Sequence, residues 1–279
     1  VILANQANYL IHGFIAYVRD IFRSRRLILE LTRREFRARH LGSAFGLLWA
    51  FIQPAVMLTI YCVIFYGPMY SAPLPGQPPF IVTLLSGLIP WFILSDLMMS
   101  GVGVITDNQF LVKKVVFRIS LLPIVRLISH LPVHLFFVFV VTLIFWASGY
   151  PPTWYWLQLF YFLFAILVLG LGWCLLVSAL VPFLRDLGQV VSVFMQIFFW
   201  LTPLVWQVQN IHRSKFVLSL LYLNPFFYIV EGYRDSMVNH RVFWLHPVAT
   251  AYYWCFTGIL LTIGAVVFAR LQDHFADVL

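Results

Sequence analysis

The chain has 279 residues, 62% of them hydrophobic and 10% charged, with a mean hydropathy of +0.91 and a net charge of +8. A water-soluble domain is about 45–50% apolar and about a quarter charged. No single aqueous core buries this much apolar surface, so the composition excludes a soluble globular protein and requires lipid as the solvent.

In chain order, the opening VILANQANYLIHGF has neither a charged n-region nor a small-residue cleavage site, so no removable signal peptide is expected. Residues 14–31 set Phe14, Val18, Ile21 and Ile28 along one helical stripe and Arg19, Arg23, Arg26 and Glu30 along another. That is the pattern of an amphipathic helix lying in the membrane interface. Next comes TRREFRARHLGSAFGLLWAFIQP (32–54), where Arg33, Arg34, Arg37 and Arg39 crowd the entrance to a long apolar run.

Six runs are long enough to cross about 30 Å of hydrocarbon as helices. They lie near 45–66, 80–106, 121–147, 154–181, 188–207 and 247–270, with turn-forming residues between them (GPMYSAPLPGQPP, SGYPPT, PFLRDLG). The expected organisation is an N-terminal segment at 1–44, a six-span domain at 45–270 and a short tail at 271–279. Of the 18 Lys and Arg, only Arg213, Lys215, Arg234 and Arg241 fall on the side opposite the N-terminus. The positive-inside rule then places both termini in the cytoplasm. Residues 216–238 (FVLSLLYLNPFFYIVEGYRDSMV) are apolar but interrupted by Asn224, Pro225, Glu231, Gly232, Arg234 and Asp235. A re-entrant pair of short helices in the outer leaflet fits this pattern better than a seventh span.

Candidate chemistry is sparse. No GxxxxGK[ST] occurs, so any nucleotide driving transport is bound by another polypeptide. Gly101-Val102-Gly103 reads as close helix packing. Cys62, Cys174 and Cys255 are isolated in apolar runs, without disulfide or metal spacing. His130 and His134 share a helical face in HLPVH, but Leu131 replaces the glutamate of a zinc peptidase motif and Pro132 disturbs the geometry, so no metal is expected. Asp96 is the one carboxylate well inside an expected span, either at a helix contact or on a substrate path. An enzyme acting on a lipid-linked sugar needs a carboxylate or histidine cluster at one depth, and these residues do not supply it. A small channel needs a ring of polar residues along one span, and none stands out.

Aromatic residues crowd the first span (Tyr61, Phe65, Tyr66) and the fifth (Phe194, Phe198, Phe199, Trp200, Trp206). Interfacial belts account for Tyr66, Trp206 and the Trp154-Tyr155-Trp156 cluster. The deeper rings serve as packing or as a stacking surface for a carbohydrate or polyol chain. The loops FLVKKVVFR (110–118) and PFLRD (182–186) serve either as topology signals or as knobs for a motor subunit. In the second reading, Phe110, Val115 and Phe117 are the anchors and Lys113, Lys114 and Arg118 the rim.

Taken in order, these features resemble the permease subunit of an ABC exporter of the ABC-2 type. The resemblance rests on Leu41, Gly42, Gly46 and Trp49, then GLIPW (Gly87–Trp91), LVKKVVF (Leu111–Phe117), FLRD, LTPLVW (Leu201–Trp206) and NPFFYIVEGYRD (Asn224–Asp235). It extends from about residue 15 to the C-terminus. Within the family the chain is similar to the branch exporting O-antigen, capsule and wall teichoic acid. GYPPTWYWLQLFYFLFA (149–165), NPFFYIVEGYRDSM and DHFADVL resemble wall teichoic acid translocation permeases, as does Arg118-Ile119-Ser120, where many O-antigen permeases begin with proline.

The resemblance implies an all-α integral membrane fold with six spans, an amphipathic interfacial helix and a re-entrant pair (216–238) between spans five and six, in the bacterial cytoplasmic membrane. It implies a second copy of the chain, two copies of a separate ABC ATPase that bind ATP and magnesium, and no catalytic site, metal, cofactor or nucleic acid in this chain. The substrate is an anionic polymer on polyprenyl pyrophosphate, wall teichoic acid in the first place and O-antigen or capsular polysaccharide as the alternative. Arg33, Arg34, Arg37 and Arg39 would form the gate for the lipid pyrophosphate, since arginine forks match phosphate oxygens, with an ATPase contact or a topology signal as the alternative roles. Phe110, Lys113, Lys114, Val115, Phe117, Arg118, Arg185 and Asp186 would meet the ATPase. Trp49, Tyr61, Phe65, Phe194, Phe198, Phe199 and Trp200 would line the channel, and Asn224, Pro225, Glu231 and Arg234 would shape the re-entrant element.

Overall fold

The computed structural model describes residues 19, 21–38, 46–66, 78–113, 118–206 and 220–279, and no strand occurs among them. Helix α1 (Arg25–Ala38) carries Ile28, Thr32 and Glu35 on one stripe, three to four residues apart, and Ile28 and Thr32 are buried. This stripe docks on Leu121, Ile124 and Val125. An amphipathic helix was expected at 14–31, of which 14–18 and 20 lie outside the described residues. Helix α1 runs on to Ala38 and so carries Arg33, Arg34 and Arg37 itself. No glycine or proline interrupts residues 32–38, and the apolar stripe continues to its docking surface.

Among the described residues, four helices are long and apolar enough to cross a membrane: Phe80–Gly103, Ile119–Ala147, Trp154–Leu180 and Pro247–Val278. They contain α3 (Phe80–Ser100), α5 (Leu122–Ala147), α6 (Gln158–Leu180) and α9 (Pro247–Leu271). The first and fifth expected spans correspond to α2 (Trp49–Tyr66) and α7 (Leu187–Leu201), whose apolar helices are shorter. With 15 residues, α7 is only about 22 Å long at 1.5 Å per residue. It stops at Thr202, whose backbone is extended (φ −84°, ψ 131°). Pro203 follows, and a residue before proline is disfavoured in the helical region.

Helix α3 is the centre of the bundle. Leu84, Leu85, Leu88, Leu94 and Leu97 on it are almost fully buried, and it packs against α5, α6, α7 and α8 (Pro225–Arg234). Helix α8 has ten residues, about 15 Å, too short to cross. Asn224 caps it and Pro225 occupies its first turn, a placement that proline's fixed φ favours. It continues into a π-turn (Asp235–Asn239) that ends at His240 in the left-handed region (φ 52°).

Helices α6 and α9 pack backbone to backbone. A Cβ on Gly172 would lie 2.8 Å from Leu261 N, and one on Gly264 would overlap the Gly172 carbonyl oxygen. Small residues permit such an approach between helices in lipid. Gly172→Leu or Gly264→Leu is therefore expected to force the helices apart, at a cost of about 1–3 kcal/mol or more. A lowered thermal transition and loss of monodisperse elution in detergent would show it, whereas an unchanged transition would mean the helices separate freely.

Candidate functional site

At the end of the bundle that carries α1, one buried cation joins three segments. Arg126, in the second turn of α5, is 6% exposed. Its Nε lies 2.8 Å from Glu35 Oε1 of α1, and its Nη2 donates to Asp107 Oδ2 at 2.7 Å. Asp107 lies two residues before α4 (Gln109–Val112). The planar guanidinium fork thus holds α1 and the α3–α5 connection to α5 together. Beside it, Arg34 lies 4.8 Å above the Phe110 ring, a cation–π contact. A cavity of about 330 Å³ separates these elements, lined by Arg34, Glu35, Asp107, Phe110 and Arg126 among others.

The residues expected at a substrate gate and those expected at an ATPase contact therefore meet through Arg34 and Phe110. Arg33, Arg37, Lys113 and Arg118 are exposed nearby in the chain, and Arg185 and Asp186 are exposed on the α6–α7 turn. Arg39, Lys114, Val115 and Phe117 lie outside the described residues. The tail helix α10 (Phe275–Val278) closes this end, with Phe275 fully buried and edge-on to Phe268 at 5.6 Å.

Deeper in the bundle, Asp96 of α3 and His130 and His134 of α5 line one small cavity of about 20 Å³. The α5 helix runs unbroken through Pro132. His130 Nδ1 lies 2.7 Å from the Arg126 carbonyl oxygen, and His134 Nε2 lies 3.1 Å from the Tyr233 hydroxyl. Among the described residues no group of three or more His, Cys, Asp or Glu is arranged to hold a metal.

Toward the opposite end, three of the sequence motifs converge on Arg234, itself 6% exposed. Its Nη2 donates to the Leu204 carbonyl of LTPLVW at 3.0 Å, and its Nη1 lies 3.5 Å from Glu231 Oε2. A Cβ on Gly87 of GLIPW would sit 3.0 Å from Nη2, so the glycine leaves room for the guanidinium. Asn224 Nδ2 donates to Thr202 Oγ1 at 2.8 Å, while its Oδ1 accepts from Phe226 N at 3.0 Å. Helix α8 is thereby fastened to the end of α7.

The aromatic set divides. Tyr61 stacks on Phe199 at 6.0 Å, Phe199 meets Trp91 at 5.6 Å, and Phe198 packs edge-on to Phe226 at 5.1 Å. These rings form a cluster inside the chain. Trp49, Phe194 and Trp200 are exposed. Phe65 is on α2, but its side chain lies outside what is described. The Arg126 junction escaped sequence reasoning, which counted the arginine only as a topology charge. Its position inside an expected span was the available signal, because an intramembrane charge needs a partner.

A helical membrane protein with basic elements joined at one end and motif-bearing short helices fastened near the other is the class these observations define. The ABC-2 type transporter family matches residues 26–238, and the chain belongs to that family. It is similar to the O-antigen export system permease protein RfbA of Myxococcus xanthus, 26% identical over 268 residues that cover 94% of this chain and 99% of that protein. The protein of the same name from Klebsiella pneumoniae is 27% identical, covering 91% and 95% of the two chains. The polysialic acid transport protein KpsM of Escherichia coli is 26% identical, covering 86% and 91%.

Arg126→Met is expected to release α1. It removes the 2.8 Å contact with the Glu35 carboxylate, which is 13% exposed, and breaking a buried pair costs about 3–5 kcal/mol. Asp107 is 58% exposed, so that half of the junction contributes little. A cysteine at Ile28, shielded in the parent, should become rapidly labelled by a membrane-impermeant maleimide in the Arg126→Met background. Equal labelling rates would show that α1 is held by its apolar stripe alone.

Proposed function

We propose that this chain is the membrane subunit of an ABC exporter that moves a polyprenyl-pyrophosphate-linked cell-surface polysaccharide, of the O-antigen or capsular kind, across the cytoplasmic membrane. The observation that carries the reading is the similarity along nearly the whole chain to permeases named for O-antigen and polysialic acid export. The wall teichoic acid reading drawn from local segments has no such support among these relatives, and the polysaccharide reading replaces it as the first choice.

In this reading α2 and α7 are crossings, making six, with both termini cytoplasmic and the 216–238 segment re-entrant from the outer side. Two copies of the chain assemble with two copies of a separate ATPase that binds ATP and magnesium. Arg33, Arg34 and Arg37, with Arg39, attract the lipid pyrophosphate at the inner leaflet, each basic residue contributing about 1 kcal/mol near an anionic surface. Phe110, Lys113 and Arg118, with Lys114, Val115 and Phe117, meet the ATPase together with Arg185 and Asp186. The Arg34–Phe110 contact and the Arg126 junction make the gate and the ATPase contact one mechanical unit. Exposed Trp49, Phe194 and Trp200 face the polymer channel between copies, while Tyr61, Phe198 and Phe199 support its wall from behind.

The decisive test is ATP hydrolysis by the chain with its co-expressed ATPase in liposomes. Stimulation by a lipid-linked glycan and not by a lipid-linked polyol phosphate is the expected result. The reverse preference restores the teichoic acid reading, and failure of any ATPase to associate removes the exporter assignment. In the same assay, Arg33 and Arg37 changed together to Gln should raise the half-stimulating concentration of substrate about tenfold or more, with basal hydrolysis intact. Lys113→Glu combined with Arg185→Glu should instead lower recovery of the complex with the ATPase. Unaltered recovery would place the ATPase contact elsewhere.

A further inference from the structure

Between α5, the connection at 148–157 and the first turns of α6 lies a cavity of about 470 Å³. Its wall includes His134 and Val138 of α5, Thr153 and Trp156 of the connection, Leu163 of α6, and Tyr233 of α8. None of its lining residues is Asp, Glu, Lys or Arg. Two rim residues, Trp154 and Phe160, are 86% and 71% exposed, so the cavity faces outward from the bundle.

Depth decides what fills it. Both flanking helices are long and apolar enough to cross a membrane. His134 is thirteen residues from Ala147 at the end of α5, about 20 Å along a helix. The cavity therefore runs from the membrane surface to beyond the middle of about 30 Å of hydrocarbon. Water finds few partners along such a wall, and an unfilled recess forfeits the dispersion contacts of its lining.

The polar atoms are unequally distributed along that depth. At the deep end the His134 imidazole and the Tyr233 hydroxyl satisfy each other at 3.1 Å. In the connection, by contrast, Thr153 Oγ1 and Trp156 Nε1 are buried with no hydrogen-bond partner in the chain. The indole N–H is a donor only, and tryptophans at this level sit among lipid headgroups. The recess thus asks for an acceptor at its mouth and nothing polar at its floor. An ester carbonyl above an acyl chain supplies that order. A polyprenyl pyrophosphate has no ester carbonyl to set at that level.

We propose that this cavity binds one acyl chain of a glycerophospholipid, its ester carbonyl at Thr153 and Trp156 and its chain end against His134 and Tyr233. The bound chain braces α8 through Tyr233, and the site stands whatever polymer is exported.

The test uses the full chain in liposomes containing phosphatidylethanolamine with a diazirine near the end of one acyl chain. Photolabelling is expected on the peptides containing Val138 and Leu163. Val138→Trp, which fills the recess, should lower that labelling at least tenfold. Trp156→Phe keeps a ring and removes the donor. It should lower labelling by the ester lipid about two- to tenfold, the worth of one hydrogen bond, and leave labelling by an ether-linked analogue unchanged. Equal loss with both lipids overturns the carbonyl assignment. Undiminished labelling in Val138→Trp, stronger labelling by a diazirine polyprenyl phosphate, or disulfide cross-linking of Phe160→Cys to a second copy overturns the site itself.

Discussion

Backbone in hydrocarbon has no water to bond, so every amide and carbonyl at that depth must find a partner within the protein. This constraint governs the regular parts of the chain and, more tellingly, its interruptions. Where α7 stops at Thr202 and where α8 starts at Asn224, side chains replace the missing helical partners. Asn224 caps the first turn of α8 and also bonds Thr202, so the two helix ends secure each other. The carbonyl of Leu204, left outside any helix, accepts from Arg234. Irregular backbone is tolerated here because it is buried in protein.

The same scarcity of water makes buried charge costly unless it is paired. Arg126 and Arg234 are the two buried arginines among the described residues, and each is placed where segments remote in sequence meet. Arg126 gathers α1 and the approach to α4. Arg234 gathers α8, the end of α7 and, through Gly87, the middle of α3. A guanidinium fork addresses two directions at once and fixes geometry as well as energy. These charges set position more than they add stability.

Much of this was legible in the sequence, and the limits were physical. Helix centres followed from apolar runs because lipid imposes length directly. The break at Asn224-Pro225 was visible because proline's missing N–H has a local consequence. Helix ends were less legible: α1 extends to Ala38 because its stripe finds a docking surface on α5, which no local pattern states. Pairings across long separations were invisible. Glu35, Asp107 and Arg126 share no spacing, and only the fold brings them within bonding distance. The aromatic residues 198–200 read as one deep set, yet helical rotation turns Phe198 and Phe199 into the chain and Trp200 outward.

The two ends of the bundle are joined through α3 and α5. Helices α3 and α5 pack against each other along the bundle, with Asp96, His130 and His134 at their shared face. His130 bonds the Arg126 carbonyl, and His134 bonds Tyr233 of α8. One helix thus carries, on successive turns, the junction at the basic end and the contact with the short helices near the other. Asp107, the exposed partner, adds little to that junction, so α5 is joined to α1 chiefly through Glu35 and the apolar stripe. Tyr233, bonded to His134, lies on α8, which Asn224 and Arg234 hold to α7 and α3. The described contacts thus run without a break from α1 through α5 to α8 and the end of α7.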